Sequence, residues 1–118
     1  MTKEIKVGAR TIPFTANGAT PLFYKQFFKN DLLKLISVKG NDITIGTENV
    51  PELAFIMAKQ ADGANFMQLT MDHYIEFLSR FEPMDITLAG DEIMRLYLGD
   101  LATDVQPKKK TKGVVKGK

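Results

Sequence analysis

The sequence predicts an α+β protein that is mostly α: an N-terminal β-hairpin, a compact bundle of four or five helices, and a disordered basic C-terminal tail. Apolar residues alternate with polar ones near the start, which is the period of a strand, and later recur every three or four residues, which is the period of a helix. The last twelve residues hold six lysines and no acid. We therefore predict one domain over residues 1–103 and a disordered lysine-rich tail over residues 104–118.

The hairpin is predicted between residues 4 and 15. Ile5 and Val7 alternate with charged neighbours, and a second alternating run follows a short turn that contains Gly8. Pro13 has no amide donor, which favours an edge position for the second strand. Asn17-Gly18 has the chemistry of a turn and ends the hairpin.

The first helix is predicted to open at Thr20-Pro21, with the threonine as its cap and the proline at the first helical position. Asn30-Asp31 could divide this segment into two helices. Residues 38–42 are predicted as a turn, and residues 43–45 could be a brief extended piece. Apolar residues near helical spacing support the segment: Leu22, Phe23, Phe27, Leu32, Leu35 and Ile36.

Three further helices are predicted. One begins near Pro51 and stops at Asp62-Gly63; its buried stripe is Leu53, Ile56, Met57 and Ala61. The next is capped by Thr70 and ended by Pro83; its apolar positions are Tyr74, Ile75, Leu78 and Phe81. The last covers residues 85–98, although Gly90 weakens it by roughly 1 kcal/mol relative to alanine. Its apolar face is Ile86, Leu88, Ile93, Met94, Tyr97 and Leu98.

The catalytic inventory is small. The chain has no cysteine and one histidine, so disulfide scaffolds and thiolate metal sites are excluded. His73 is interpreted as a partly exposed helix residue, and neither Ser37 nor Ser79 lies in a nucleophile motif. Six carboxylates between residues 72 and 92 are typical of the solvated face of amphipathic helices. We predict no enzyme, no cofactor and no metal site.

Charge and hydropathy limit the partners. The net charge is +2, but without the six tail lysines ten basic residues face fourteen acidic ones, a body charge of about −4. The lysines of the tail could neutralise the phosphates of a nucleic acid. However, no aromatic residue lies among them to stack on bases. We therefore prefer a solubilising tail and do not expect nucleic acid as a partner. The start of the chain has no secretory pattern and no run approaches the ~20 apolar residues of a membrane helix, which predicts an intracellular protein that does not span a membrane.

Four aromatic residues fall within six positions of the first helix. Phe23 and Phe27 share one face of the helix, and Tyr24 and Phe28 share another. All four could belong to a core helix. Alternatively, one pair packs in the core and the other meets a partner, because aromatic residues are favoured at interface centres.

The order of these segments resembles that of tail assembly chaperones of long-tailed phages and prophages of Gram-positive bacteria. The likeness covers roughly residues 3–102. It is carried by residues 23–33, by residues 53–61, and most closely by residues 74–85 running into Glu92-Ile93 and Leu96-Tyr97.

The resemblance implies a function. Such chaperones bind the tape measure protein, keep it soluble and promote assembly of the tail tube, and they are absent from the mature virion. It also implies the host bacterial cytoplasm as location and the tail tube protein as a second partner, and it leaves homo-oligomerisation open. In this family a ribosomal frameshift often makes a longer form, and the codons of Lys108-Lys109-Lys110 could be its slippery site.

A client helix would bind in an amphipathic groove. We predict that the groove involves Tyr24, Phe28, Met57 or Met67, because methionines adapt to varied helices; the same residues could equally be plain core. The rival hypotheses are a nucleic-acid-binding module that acts through the tail and a structural tail protein that remains in the particle.

Overall fold

A computed structural model describes residues 2–40 and 42–98, and it confirms the predicted class: an N-terminal hairpin followed by a mostly helical body. Strand β1 (Thr2–Val7) pairs antiparallel with β2 (Arg10–Thr15), with Ile5 opposite Ile12. The predicted tail and the lysines in it lie outside the described residues.

The first hairpin buries one face. Ile5, Val7 and Phe14 are almost completely buried, as the alternation of β1 predicts for a strand with one face in the core. Gly8 begins the turn with φ +64°, and the carboxylate of Asp85 occupies the space where a Cβ on residue 8 would stand. The turn of the first hairpin therefore packs against Asp85, in the second half of the chain.

Helix α1 covers Thr20–Phe28, one residue earlier than predicted, so the role assigned to Thr20 was wrong. Ala19 is the N-cap residue. Its backbone amide donates a hydrogen bond to the side-chain oxygen of Asn17 at 2.8 Å. The buried hydroxyl of Thr20 instead accepts from the amide of Asn17 at 3.0 Å and donates to Gln60 at 2.8 Å. A buried hydroxyl needs such partners, and here they tie the start of α1 to a neighbouring helix.

A second hairpin follows, which the sequence prediction missed. Residues Leu32–Leu35 form a 3₁₀ helix, and β3 (Ile36–Lys39) then pairs antiparallel with β4 (Asp42–Ile45). The break at Asn30-Asp31 and the extended piece at 43–45 are confirmed, but Ile36 lies in a strand and the turn is shorter than residues 38–42. Strands of four residues are too short for their period to be separated from that of a helix.

Helix α2 (Val50–Ala61) is the centre of the fold. Six consecutive residues, 53–58, are buried, so the helix is covered on all sides and not along one stripe. It contacts β2, α1 and the later helices. The predicted end of this helix at Asp62-Gly63 is confirmed. Gly63 has φ +70°, and its amide donates to the carbonyl of Gln60. The amide of Ala64 donates to the carbonyl of Lys59, which completes a Schellman motif.

The later helices are shorter than predicted. A 3₁₀ helix (Phe66–Gln68) precedes α3 (Met71–Ser79), which ends four residues before Pro83. The predicted last helix is divided into α4 (Asp85–Leu88) and α5 (Gly90–Leu98), because glycine at the junction supports a continuous helix poorly.

Two apolar residues were assigned to the wrong side of these helices. Ile75 is more than half exposed, and Leu88 is 78% exposed, whereas Phe77 is buried without having been predicted so. Which residues of α3 and α4 face the core depends on how each helix is oriented against its neighbours. The periodicity of the sequence does not contain that orientation, so it placed these side chains incorrectly.

Candidate functional site

The four residues predicted to meet a partner are separated by the fold. Tyr24 and Met57 are fully buried, Phe28 is half-buried, and Met67 is 91% exposed. Tyr24 and Met57 therefore belong to the core, which is the second of the two alternatives considered for them. Only Phe28 and Met67 present surface to a partner in this conformation.

Tyr24 is held by a partly buried polar contact. Its hydroxyl donates to Glu52 on α2, and the side-chain amide of Asn49 donates to the same carboxylate oxygen at 3.1 Å. Burial raises the pKa of Tyr24 well above its usual value, and the neighbouring Glu52 raises it further. Burial, followed by the charge of Glu52, also raises the pKa of Tyr74 to about 12. Both hydroxyls thus remain protonated across the physiological range.

Phe28 belongs to a set of rings that continues into the core. Its centroid lies 5.1 Å from that of Tyr24 and 5.1 Å from that of Tyr74, in tilted and edge-on arrangements respectively. Phe55 on α2 contacts Phe28, Tyr74 and Phe77 in turn. Such packing contributes about 0.5–1.5 kcal/mol for each pair beyond the area buried. Phe28 is therefore first a residue that joins α1 to α2 and α3.

Met67 lies at a groove between α1 and the start of α3. We call it the methionine groove; its volume is about 520 Å³. Its apolar lining is Phe27, Phe66, Met67, Leu69 and Met71, and its polar lining is Gln26, Lys29 and Thr70. That volume lies within the range of ~300–1,000 Å³ found for binding pockets in proteins.

The segment that carries Met67 is fixed by local contacts. Phe66 stacks on Phe23 of α1, with a centroid distance of 4.1 Å and an interplanar angle of 8°. The side chain of Asn65 accepts from the amide of Met67 at 3.0 Å and so starts the 3₁₀ helix. The ring stack attaches this helix to α1 while the thioether of Met67 points into solvent.

The start of α3 forms the other end of the groove. The amide of Thr70 donates to Nδ1 of His73 at 3.0 Å, which confirms a cap at Thr70 and gives the histidine a structural partner. His73 is exposed, as predicted. The helix then places Met71, more than half exposed, at the groove.

Two further exposed side chains extend this apolar surface. Leu22 precedes Gln26 by four residues on α1, and Ile75 follows Met71 by four residues on α3, so each shares a helix face with a lining residue. Both are more than half exposed. A second exposed pair, Met84 and Leu88, lies at α4 and is not part of the groove.

The residues considered for catalysis are exposed, except for Asp85, which is partly buried. Ser79 is exposed and its hydroxyl donates to the carbonyl of Glu76 at 2.7 Å. Asp85 accepts from the amide of Glu82 at 2.8 Å, a local turn contact. Within residues 2–40 and 42–98, no group of three histidine or carboxylate side chains is placed to hold a metal ion.

The groove was only partly visible in the sequence. Met67 was identified because methionine suits adaptable surfaces, but Phe66, Met71 and Lys29 were missed. The missing signal is the short segment between α2 and α3, whose structure the sequence left undecided. Phe66 and Met67 inside this undecided segment, with Met71 just after it, were the available hint.

The chain matches no protein-family model, no curated protein and no solved structure. In the described part of the chain, no helix is long and apolar enough to cross a membrane.

Proposed function

We propose that this protein is a phage tail assembly chaperone that binds the tape measure protein, keeps it soluble and promotes assembly of the tail tube. The proposal joins the resemblance of residues 3–102 to one structural observation, the methionine groove. A long helical client presents apolar stripes that aggregate in water, and a groove lined by methionine and phenylalanine can cover such a stripe.

The exposed side chains at the groove are not required for the fold. Met67, at 91% exposure, and the half-exposed Met71 contribute little apolar burial to folding. Burying a methionine side chain contributes roughly 1.5–3 kcal/mol, so these two can add free energy when a client covers them. Leu22 and Ile75 would add similar amounts.

The expected binding is reversible. Because three of the four side chains are only about half exposed, together the four supply roughly 4–8 kcal/mol, while association costs an estimated ~4–15 kcal/mol in lost freedom of motion. The balance favours weak complexes that dissociate readily. A chaperone that leaves before the virion is complete requires that property, because a client held too tightly could not enter the tube.

The groove can be tested by co-expression with a phage tape measure protein. The double variant Met67→Glu/Met71→Glu places two charges on the groove and is expected to lose the soluble client. The matched control, Met84→Glu/Leu88→Glu, makes the same change at similarly exposed residues outside the groove and should keep the client soluble. Centrifugation followed by a pull-down measures both, and circular dichroism checks the fold.

Other outcomes separate the rivals. A folded groove variant that solubilises the client as well as the unchanged chain would refute the role of the groove. Recovery of the protein in purified particles would favour a structural tail component. Loss of client solubility on deletion of residues 107–118, with nucleic-acid binding that falls steeply with salt, would favour the module that acts through the lysines.

A further inference from the structure

Lys29 ends helix α1 in a conformation that does not suit a lysine. Its φ of 60° and ψ of 32° place it in the left-handed region, and no other non-glycine residue in the described ranges has a positive φ. Glycine is the usual residue at such a helix end, because a Cβ is disfavoured there. The lysine side chain is therefore present despite its backbone, which indicates a role for its charge.

The side chain of Lys29 lines the methionine groove. Among the described residues it is the one charged member of the lining, and the others are apolar or neutral. The ion pairs found among the described side chains join Lys59 to Asp62 and Arg80 to Glu76, and neither involves Lys29. The charge is thus left for a group outside the groove.

The helix dipole alone does not account for this lysine. A cation near the C-terminus of a helix is favoured by the helix dipole, but Lys25 already supplies one in the last turn of α1.

We propose that Lys29 is a specificity residue of the methionine groove, selecting partner helices that carry an acidic side chain beside their apolar face. This inference rests on the proposed function and names the class of client segment. The apolar lining accepts the stripe of any amphipathic helix, whereas the single cation attracts a neighbouring carboxylate and repels a neighbouring lysine. The groove thereby chooses among the many apolar stripes of a long helical client.

The test uses three synthetic amphipathic helical peptides with an identical apolar face. They differ at the positions that flank this face, which carry glutamate, glutamine or lysine. Fluorescence anisotropy with the full chain should give the tightest binding for the glutamate peptide and the weakest for the lysine peptide. A partly exposed ion pair predicts about a threefold to fivefold preference for glutamate over glutamine, and it should shrink as salt is added.

Two variants of α1 remove the same charge at different places. Lys29→Asn removes the groove charge with a residue that tolerates the left-handed conformation, and Lys25→Gln removes a charge one turn earlier with a residue that suits a helix. The first should bind the glutamate and glutamine peptides equally, with an unchanged or higher melting temperature. The second should keep the preference.

Each outcome decides a different point. Equal binding of the three peptides by the unchanged chain, or a preference that survives in Lys29→Asn, overturns the inference while leaving the groove as a binding site. If the chain binds none of the peptides, both the inference and the assigned client surface fall. If the peptide preference is found but the tape measure protein is not solubilised, Lys29 keeps its role and the proposed function falls.

Discussion

Met57 and Met67 are the same residue type, ten positions apart, with opposite surroundings. Met57 is 0% exposed on α2, a helix covered on all sides, whereas Met67 is 91% exposed on a single turn of 3₁₀ helix. Six buried residues in a row around Met57 hold the fold together. The exposed side chains of Met67 and Met71 contribute little to the fold and are therefore available for a partner.

The largest effect is expected from truncation of the buried methionine. Met57→Ala should lower the free energy of unfolding by about 2–5 kcal/mol, because it removes buried atoms and leaves a cavity in a densely packed region. Met67→Ala, the matched control, should change it by no more than about 0.5 kcal/mol. Urea unfolding followed by circular dichroism measures both. Equal losses would contradict the distinction drawn between the two regions.

The buried tyrosines predict a specific sensitivity to alkali. The pKa of Tyr74 is raised from 10 in the unfolded chain to about 12 in the fold, and that of Tyr24 is raised as well. Above pH 10 the unfolded chain releases these protons while the folded chain retains them. Stability is therefore fully present below pH 10 and falls as pH rises toward 12, by up to about 1.4 kcal/mol per pH unit for each tyrosine.

Unfolding measured at pH 9, 10 and 11 tests this effect. Tyr74→Phe removes one of the titrating groups and should flatten the fall in stability above pH 10, while leaving its value at pH 8 less affected. The same slope in Tyr74→Phe as in the unchanged chain would show that other groups, not this buried hydroxyl, cause the loss.

A smaller effect is expected where α2 ends. Gly63 has φ +70° and open space around its Cα, so Gly63→Ala carries a conformational penalty without a clash, about 1 kcal/mol. Gly18→Ala is the matched control, because Gly18 also has open space but no positive φ. We expect it to be neutral or slightly stabilising. Thermal melting compares the two variants. Equal melting temperatures would contradict the claim that the left-handed conformation of Gly63 requires glycine.

The sequence predicted the parts of the fold that depend on local chemistry. The alternation of Ile5 and Val7 located the first hairpin, and Asp62-Gly63 located the end of α2. The second hairpin was missed because four-residue strands have too little pattern to compete with a helical spacing. The burial of Phe55 and Phe77 was missed because it depends on which helices surround α2, and no local period contains that information.

The candidate site was harder to predict for the same reason. Residue type alone cannot separate Met57 from Met67, since tertiary neighbours determine which methionine is covered. The left-handed conformation of Lys29 also has no sequence signature, because lysine is an unusual residue for that role. What the sequence supplied was the expectation of an adaptable apolar surface, and the fold supplied its location.

The contact between Gly8 and Asp85 links the two halves of the chain in a way that natural variation should record. Any side chain at position 8 would occupy the place of the Asp85 carboxylate, with a Cβ only 2.2 Å from its nearer oxygen. A homologue that acquires a larger residue at position 8 must move the side chain of Asp85, which would break the hydrogen bond that this carboxylate accepts from the amide of Glu82. Substitutions at these two sites, 77 positions apart along the polypeptide, are therefore expected to be correlated.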